Sequence, residues 1–415
     1  MIQDVDKFLD KFQDSSFDIR VTHDARYVDQ KCTPDIVCFI ADCILGTSCA
    51  NKSFTVNDLW EERYFSDNCR VIFGKPSPED PSARNEYNKV LSQPLKLLAY
   101  AHVLEVEKQK RELIFRVVDM DMLEFVSMRE RNAYNFMFSF FMRVVRVSGI
   151  MRYFEEYKET CSDNPKEART RIYEKYHRFI SANTPSQSKT DVDRIFHKVF
   201  NLYAFHEMLP GSAGKLLSLS DLMYNKVNMR DKCHKQKNLT RAQAQKVEIE
   251  LINQNFYIDY QVNKAIRKVR EKQGKVSEVQ DELAMGVATE VHHIFPKSEF
   301  PELATYFENL ILLTSSQHRQ KAHPNSKFQL IDREYQLVCL MAKSRTVEKY
   351  IKEHGETFYT KKSFVYVVNT GTHSHLLDET DSFQEIRKFI HNAYNGYQLP
   401  QADLSYAMIA EGVHH

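Results

Sequence analysis

Three histidines and an asparagine in the last third of the chain have the types and spacing of a metal site. His292 and His293 are adjacent between apolar residues, and Asn309 follows sixteen residues after the pair. His318 comes nine residues further on. Neutral imidazole is the commonest protein ligand for a transition metal, and such a metal keeps open positions for water and a phosphate oxygen. A histidine with a pKa near neutrality can deprotonate the attacking water, so the stretch Glu290–Pro324 is where chemistry is expected.

The local pattern predicts a strand, a loop, a second strand and a helix around these residues. The histidine pair opens the first strand, a polar loop containing proline follows, and Leu310–Leu313 is a second apolar run. Thr314 or Ser315 is the expected N-cap of the helix. Because neighbouring side chains on a strand point to opposite faces, His292 and His293 cannot share one role. One of them can bind a metal while the other faces a different partner.

The order of these residues resembles the HNH nuclease family, whose ββα-metal finger carries His, Asn and His. The resemblance implies that His292 is a metal ligand and that His293 is the general base. It implies that Asn309 ties the hairpin loop together and so aims the base, although in some branches this residue is itself a ligand. His318 would be the second histidine ligand. Glu290 matches an acid that some members place beside the metal ligands.

Two differences from the family bear on the expected metals. Many members bind a structural zinc with Cys-x-x-Cys pairs around the finger, but Thr314 and Gln317 stand in the place of the second pair here. We therefore expect no structural zinc, and we expect a catalytic Mg²⁺ with Mn²⁺ or another divalent ion as the alternative. Some members carry a further histidine four residues after the last one. Ala322 occupies that position and His323 comes one residue late, which leaves open whether His323 or Asn309 also binds the metal.

The composition of the whole chain limits the classes of protein to which it can belong. At 415 residues, with 42% hydrophobic and 27% charged residues, the chain is typical of a globular protein with two or three domains. The net charge of +1 means that any nucleic-acid surface must come from local basic segments. Eight cysteines without Cys-x-x-Cys spacing favour reduced thiols and a cytoplasmic location. The apolar runs are too short to span a membrane.

The first part of the chain, residues 1–119, has the element order of a winged helix. Three helical patterns, the last over Asn88–Leu104 and interrupted by a proline, are followed by two strand-like runs. The charged tip between the runs contains Lys108, Lys110 and Arg111. This order predicts a winged-helix-like DNA-recognition domain, with one helix in the major groove and the tip on the backbone. The alternative is a helical subdomain whose hairpin only closes the core.

The rest of the chain is predicted to form a helical domain over 120–225 and a nuclease domain over 226–415. Residues 226–275 lead into the finger and contain thirteen Lys and Arg against five acids. We interpret Arg267 and Arg270 in this segment as DNA contacts near the scissile bond. The alternative is a solvated helix face, which is what a run of charge usually is.

Three further elements are predicted after the finger. Ile331–Lys352 has the apolar spacing of a helix, Tyr359–Asn369 resembles a strand, and Phe383–Tyr394 is a last helix. The whole chain is thus expected to be α+β and mainly helical, with a C-terminal ββα-metal nuclease domain.

The resemblance and these elements together predict an enzyme that hydrolyses double-stranded DNA. A finger that contacts only the DNA backbone cannot recognise a base sequence. The large N-terminal region would therefore recognise the DNA site. This arrangement is similar to a type II restriction endonuclease that leaves 5′-phosphate ends, and cutting at a distance from the site stays open. The alternatives are a phage or mobile-element nicking or homing endonuclease, and a DNA-binding regulator with an inactive finger. Both a monomer and a homodimer are compatible with the sequence.

Overall fold

The computed structural model describes residues 2–25, 27–73, 80–81, 83–186, 188–224, 241–323 and 332–394. Contacts between residues divide the chain into a first unit, 1–257, and a second unit, 258–415. Helices dominate both units and the strands are few and short, which agrees with the predicted α+β, mainly helical class. The finer division at residues 119 and 225 stays a prediction. Among the helices described here, none is both long and apolar enough to cross a membrane.

The first unit is a helical assembly around the central helix Pro34–Leu45. That helix begins at Pro34 directly after Thr33, as the Thr-Pro pair predicts, and it is buried along almost its whole length. The helices of this unit, in chain order, are α1 Ile2–Leu9, α2 Ile19–Thr22, α3 Pro34–Leu45, α4 Val56–Glu61, α5 Arg63–Phe73, α6 Ala83–Tyr100, α7 Met120–Met128, α8 Glu130–Val147, α9 Met151–Thr160, α10 Pro165–Asn183 and α11 Lys189–His206.

A two-stranded antiparallel hairpin follows α6 and consists of β1 Leu104–Gln109 and β2 Glu112–Val117. Phe54, which lies between α3 and α4, pairs with Phe115 of β2 through two backbone hydrogen bonds of 2.9 and 2.8 Å. One residue therefore occupies the position of a third strand beside the hairpin. Three helices were expected before the hairpin, whereas six of the described α-helices, α1 to α6, precede it, and the winged-helix assignment stays a prediction.

Helix α6 continues through Pro94, so the predicted interruption at this proline is wrong. Proline removes one backbone hydrogen bond and crowds the preceding turn, which costs about 3 kcal/mol in an isolated helix. Here the apolar face of α6 is buried on both sides of the proline, and that burial offsets the local cost. The buried residues of this face are Tyr87, Val90, Leu91, Pro94, Leu95, Leu97 and Leu98.

The second unit is built on an antiparallel hairpin whose inner strand is fully buried. Strand β3, Ala288–His293, pairs with β4, Leu310–Thr314, and His292 stands opposite Ile311. The predicted N-cap is confirmed, because the Thr314 side chain accepts a hydrogen bond from the Gln317 N–H. The described helices of this unit are the end of α12 Arg241–Gln273, α13 Ser315–Gln317, α14 Arg333–His354, α15 Lys361–Gly371 and α16 Phe383–Ala393.

Residues 361–371 form a helix, so the strand predicted over Tyr359–Asn369 is wrong. β-Branched and aromatic residues favour strands only weakly, and packing overrides that preference. The Thr360 side chain caps the helix by accepting a hydrogen bond from the Ser363 N–H. Burial of one helix face completes the stabilisation through Phe364, Val365, Val367 and Val368.

A buried ion pair fastens α14 to the hairpin. The Lys343 ammonium lies 3.0 Å from a carboxylate oxygen of Glu278, and both side chains are almost completely buried. The same carboxylate accepts a hydrogen bond of 2.9 Å from the Leu312 N–H, while the Glu278 N–H donates to the Leu312 carbonyl. Burial lowers the pKa of Lys343, and the charge of Glu278 opposes that shift. The segment before β3 is thereby attached to the outer edge of β4.

Candidate metal centre

His292, His318 and His323 form a compact cluster, which we call the three-histidine cluster. One possible ligand atom from each residue lies within 4.8 Å of the other two. The ring centroid of His323 lies 4.9 Å from each of the other rings, and those two are 5.3 Å apart. His292 and His323 are buried, whereas His318 is partly exposed. The cluster can therefore be reached from solvent on the His318 side.

A π-helical turn over His318–Ala322 explains why His323 belongs to the cluster. The His323 N–H donates to the His318 carbonyl at 3.1 Å, which is the i to i+5 bond of a π-turn. Residues five apart then fall on one side, whereas an α-helix brings together residues four apart. In the sequence, His323 comes one residue later than the position where some HNH nucleases carry a further histidine. The wider π-turn compensates for this extra residue.

The buried ring of His292 gives the clearest indication that the cluster can hold a metal. The residue is 5% exposed, and its Nε2 atom has no hydrogen-bond partner in the described part of the chain. Leaving a buried polar atom unpaired costs about 1–3 kcal/mol, and coordination of an ion would satisfy that atom. Burial, followed by the neighbouring histidines, lowers the pKa of His292 well below its ordinary value. A neutral ring is the form that binds a metal.

Glu290 lies beside the cluster and outside the group of possible ligands. It precedes His292 by two residues on β3, so both side chains point to the same face. Its Oε1 atom accepts a hydrogen bond of 3.2 Å from the Ser315 hydroxyl. Burial lowers the pKa of His318, and the charge of Glu290 opposes that shift. The carboxylate thus acts on a ligand candidate through its charge.

His293 makes a separate contact that determines which nitrogen carries its proton. Its Nε2 atom lies 3.0 Å from the Ala304 carbonyl oxygen. Because a carbonyl oxygen can only accept, Nε2 must be the donor and Nδ1 keeps its lone pair. Burial lowers the pKa of His293, and the bond to Ala304 opposes the shift. A neutral imidazole with a fixed tautomer has the properties of a general base.

Asn309 is a fully buried cross-link within the loop between β3 and β4. Its Oδ1 atom accepts a hydrogen bond of 2.8 Å from the Phe295 N–H. Its amide nitrogen donates to the Phe295 and Leu303 carbonyls at 3.0 and 3.2 Å. Leu303 directly precedes Ala304, so Asn309 also holds the residue next to the carbonyl that contacts His293. Both amide hydrogens are engaged in the loop and neither points to the three-histidine cluster.

We expect Asn309→Ala to lower the free energy of unfolding by roughly 2–4 kcal/mol, because three buried hydrogen bonds are lost and the Phe295 N–H is left unpaired. Urea unfolding of the full chain, followed by circular dichroism, measures the change. Asn392→Ala on the exposed end of α16 is the matched control and should change stability by less than about 0.5 kcal/mol. Equal stability of the two variants would contradict the role assigned to Asn309.

Thr314 and Gln317 belong to a hydrogen-bonded cluster at the start of α13. Thr314 and Gln317 bond reciprocally in a capping box, and Gln317 is fully buried. The Gln317 side chain also accepts from the Ser277 hydroxyl at 2.6 Å and donates to the Val279 carbonyl at 2.9 Å. These bonds hold α13 against the segment before β3.

The residues that the sequence predicted as DNA contacts lie in both units. Lys110 and Arg111 form the two-residue turn between β1 and β2, whereas Lys108 lies within β1, and all three are exposed. Arg267 lies on α12 with its guanidinium 3.9 Å from Glu271, and Arg270 is exposed on the same helix. The first part of the basic segment, 226–240, lies outside the described residues.

Comparisons of the chain with protein families, with curated proteins and with solved structures found no match. The likeness to HNH nucleases therefore rests on the residues between Glu290 and His323 and on their geometry. That geometry contains three imidazoles in one cluster, a fourth histidine with a fixed tautomer, and an asparagine that ties the loop between them.

Proposed function

We propose that the protein is a metal-dependent endonuclease that hydrolyses phosphodiester bonds in double-stranded DNA. The three-histidine cluster, in which the buried Nε2 atom of His292 has no hydrogen-bond partner among the described residues, is the main support for this proposal. His293 follows on the same strand, and alternation along that strand directs it to the opposite face. A divalent metal held by the cluster would polarise a phosphate oxygen and neutralise charge on the leaving group.

The donor set favours a transition metal over the Mg²⁺ that the sequence put first. Mg²⁺ prefers oxygen ligands in octahedral geometry, whereas imidazole nitrogen suits zinc, copper, iron and nickel ions better. The cluster offers three imidazole nitrogens, and the carboxylate of Glu290 is not part of it. We therefore propose a transition-metal dication held by His292, His318 and His323.

His293 would act as the base in this reaction. Its Nδ1 atom accepts a proton from a water molecule, and the water oxygen attacks the phosphorus opposite the 3′ oxygen. The bond from phosphorus to the 3′ oxygen breaks, that oxygen takes a proton from solvent, and the imidazolium returns its proton to solvent. The products are a 5′-phosphate and a 3′-hydroxyl. The Ala304 carbonyl and Asn309 keep the ring oriented throughout.

The first unit is the candidate for sequence recognition. Helix α6 directly precedes the hairpin and presents a polar face on its exposed side. Arginine and asparagine are the residues that pair best with guanine and adenine in the major groove. We propose that α6 reads bases while the hairpin turn contacts the backbone, as in a sequence-specific type II restriction endonuclease. The exposed polar residues at the start of α6 are Arg84, Asn85, Asn88 and Lys89.

Replacing Lys108, Lys110 and Arg111 together by Gln should weaken DNA binding at every sequence. Each phosphate contact adds about 0.9 to the slope of log affinity against log salt, so the slope should fall by up to about 3. Fluorescence anisotropy across a salt series measures it. The control replaces three exposed lysines of the first unit, Lys52, Lys166 and Lys189, which removes the same charge elsewhere. If both variants have the same salt dependence, the hairpin does not contact DNA.

Supercoiled plasmid tests the proposed activity directly. The protein is treated with a chelator, dialysed, and then supplied separately with Zn²⁺, Ni²⁺, Mn²⁺ or Mg²⁺. We expect nicked and linear plasmid with at least one transition metal, and none in the presence of chelator. DNA binding without cutting under any of these ions would instead support a regulator with an inactive finger.

A further inference from the structure

A groove in the second unit lies between the end of α12 and the outer face of α14. The segment 276–280 forms its third side, and its volume is about 510 Å³. Three cationic residues line it, namely Lys272 from α12 and Arg345 and Lys349 from α14. The lining is otherwise rich in neutral hydrogen-bonding groups from Gln273, Gln280 and Thr346.

The charge of the groove favours an anionic ligand. Two acids contribute to the lining, and one of them, Glu278, is already neutralised by Lys343 in the buried ion pair. The other, Glu353, lies on the exposed rim 3.8 Å from the His354 ring. The Lys272 ammonium lies 5.0 Å above the Tyr350 ring, which holds this cation at the wall of the groove. Three long cationic side chains along one groove form a surface suited to phosphate.

The groove is attached to the metal finger by hydrogen bonds. Ser277 on its third side donates to Gln317, the residue directly before His318. Glu278 on the same side bonds Leu312 of β4 through both its backbone and its side chain. A strand held in the groove would therefore be held by the same packed body that carries the three-histidine cluster.

We propose that this groove binds backbone phosphates of the DNA that the metal centre cuts, at a place separate from the reacting phosphodiester. This inference rests on the proposed nuclease function. It moves the expected DNA contact of the second unit from Arg267 and Arg270 to Lys272 and to two residues of α14. A duplex backbone fits better than a free nucleotide, because the cations Lys272 and Lys349 are exposed and can reach an extended surface.

The double variant Arg345→Gln/Lys349→Gln tests the groove. Binding of a mixed-sequence duplex, measured by anisotropy in chelator across a salt series, should weaken about tenfold, and the salt slope should fall by about 2. Metal content should equal that of the wild type, since the cluster is untouched. The single variant Lys349→Gln should lower the slope by about 1 and guards against misfolding of the double variant. The matched control is Lys352→Gln/Lys362→Gln, which removes two exposed charges from the same unit.

The outcomes separate failure of the groove from failure of the nuclease proposal. If the wild type cuts DNA and the groove variants bind it like the control, the groove proposal is wrong and the nuclease proposal stands. If the wild type neither binds nor cuts DNA, both are wrong. Titration of the protein with pyrophosphate covers the other source of phosphate. Pyrophosphate binding that disappears in the double variant, with unchanged DNA affinity, would assign the groove to a free phosphate compound and overturn the DNA proposal.

Discussion

Replacement of His293 by alanine is expected to reduce DNA cutting by about 10²–10⁴-fold while metal binding and DNA binding stay unchanged. The reason is that the His293 ring lies outside the three-histidine cluster and is bonded to the Ala304 carbonyl. Its loss removes the base but no ligand. Single-turnover cutting of plasmid measures the rate, and titration with Zn²⁺ measures the affinity for metal.

The control for this experiment is His391→Ala, which removes an exposed histidine from α16 in the same unit. We expect wild-type cutting from the control. Cutting by His293→Ala at a rate near that of the wild type would show that another group takes the proton. Loss of metal from this variant would show that His293 belongs to the ligand set.

Replacement of His323 by alanine should weaken metal binding as strongly as replacement of His318. Groups that only orient a ligand already contribute about 10–100-fold to affinity, so loss of a ligand should cost roughly 100-fold or more. The π-turn places the ring centroid of His323 4.9 Å from that of His292 and 4.9 Å from that of His318. Competition with a chromophoric chelator measures the affinity for Zn²⁺ or Ni²⁺.

The His323 variant distinguishes the three-histidine ligand set that we propose from the pair of ligands read from the sequence. A ligand pair of His292 and His318 alone would leave metal affinity unaffected by His323→Ala. His354→Ala, at the exposed end of α14, is the matched control. Unchanged affinity in the His323 variant would exclude this residue from the metal site.

The region from β3 to His323 shows why much of the candidate site could be inferred from sequence. Its strands and N-cap follow from apolar runs, turn residues and a capping threonine, all of which act over a few positions. The separate places of His292 and His293 need only the alternation of side chains along β3. The role of Asn309 as a cross-link followed from the resemblance, and the structure supplies its three hydrogen-bond partners.

Other features depend on packing that no local pattern contains. π-Turns are rare, so the spacing of His323 in the sequence did not show that its ring would join those of His292 and His318. Helix α15 contains a strand-like run that burial holds as a helix, and α6 continues through a proline for the same reason. The groove brings Lys272 beside Lys349 of α14, and such a contact between distant positions cannot be inferred from the charges of either segment alone.

The most direct test of the central claim is to map the ends that the protein leaves on mixed-sequence plasmid DNA. The wild type and His293→Ala are incubated with the metal that supports cutting best, and the fragment ends are sequenced. We expect 5′-phosphate ends near one shared short sequence with the wild type and almost no ends with the variant. Random ends would contradict sequence-specific restriction and point to a non-specific or nicking HNH enzyme. The absence of ends with every metal tested, while DNA binding persists, would contradict the nuclease proposal itself.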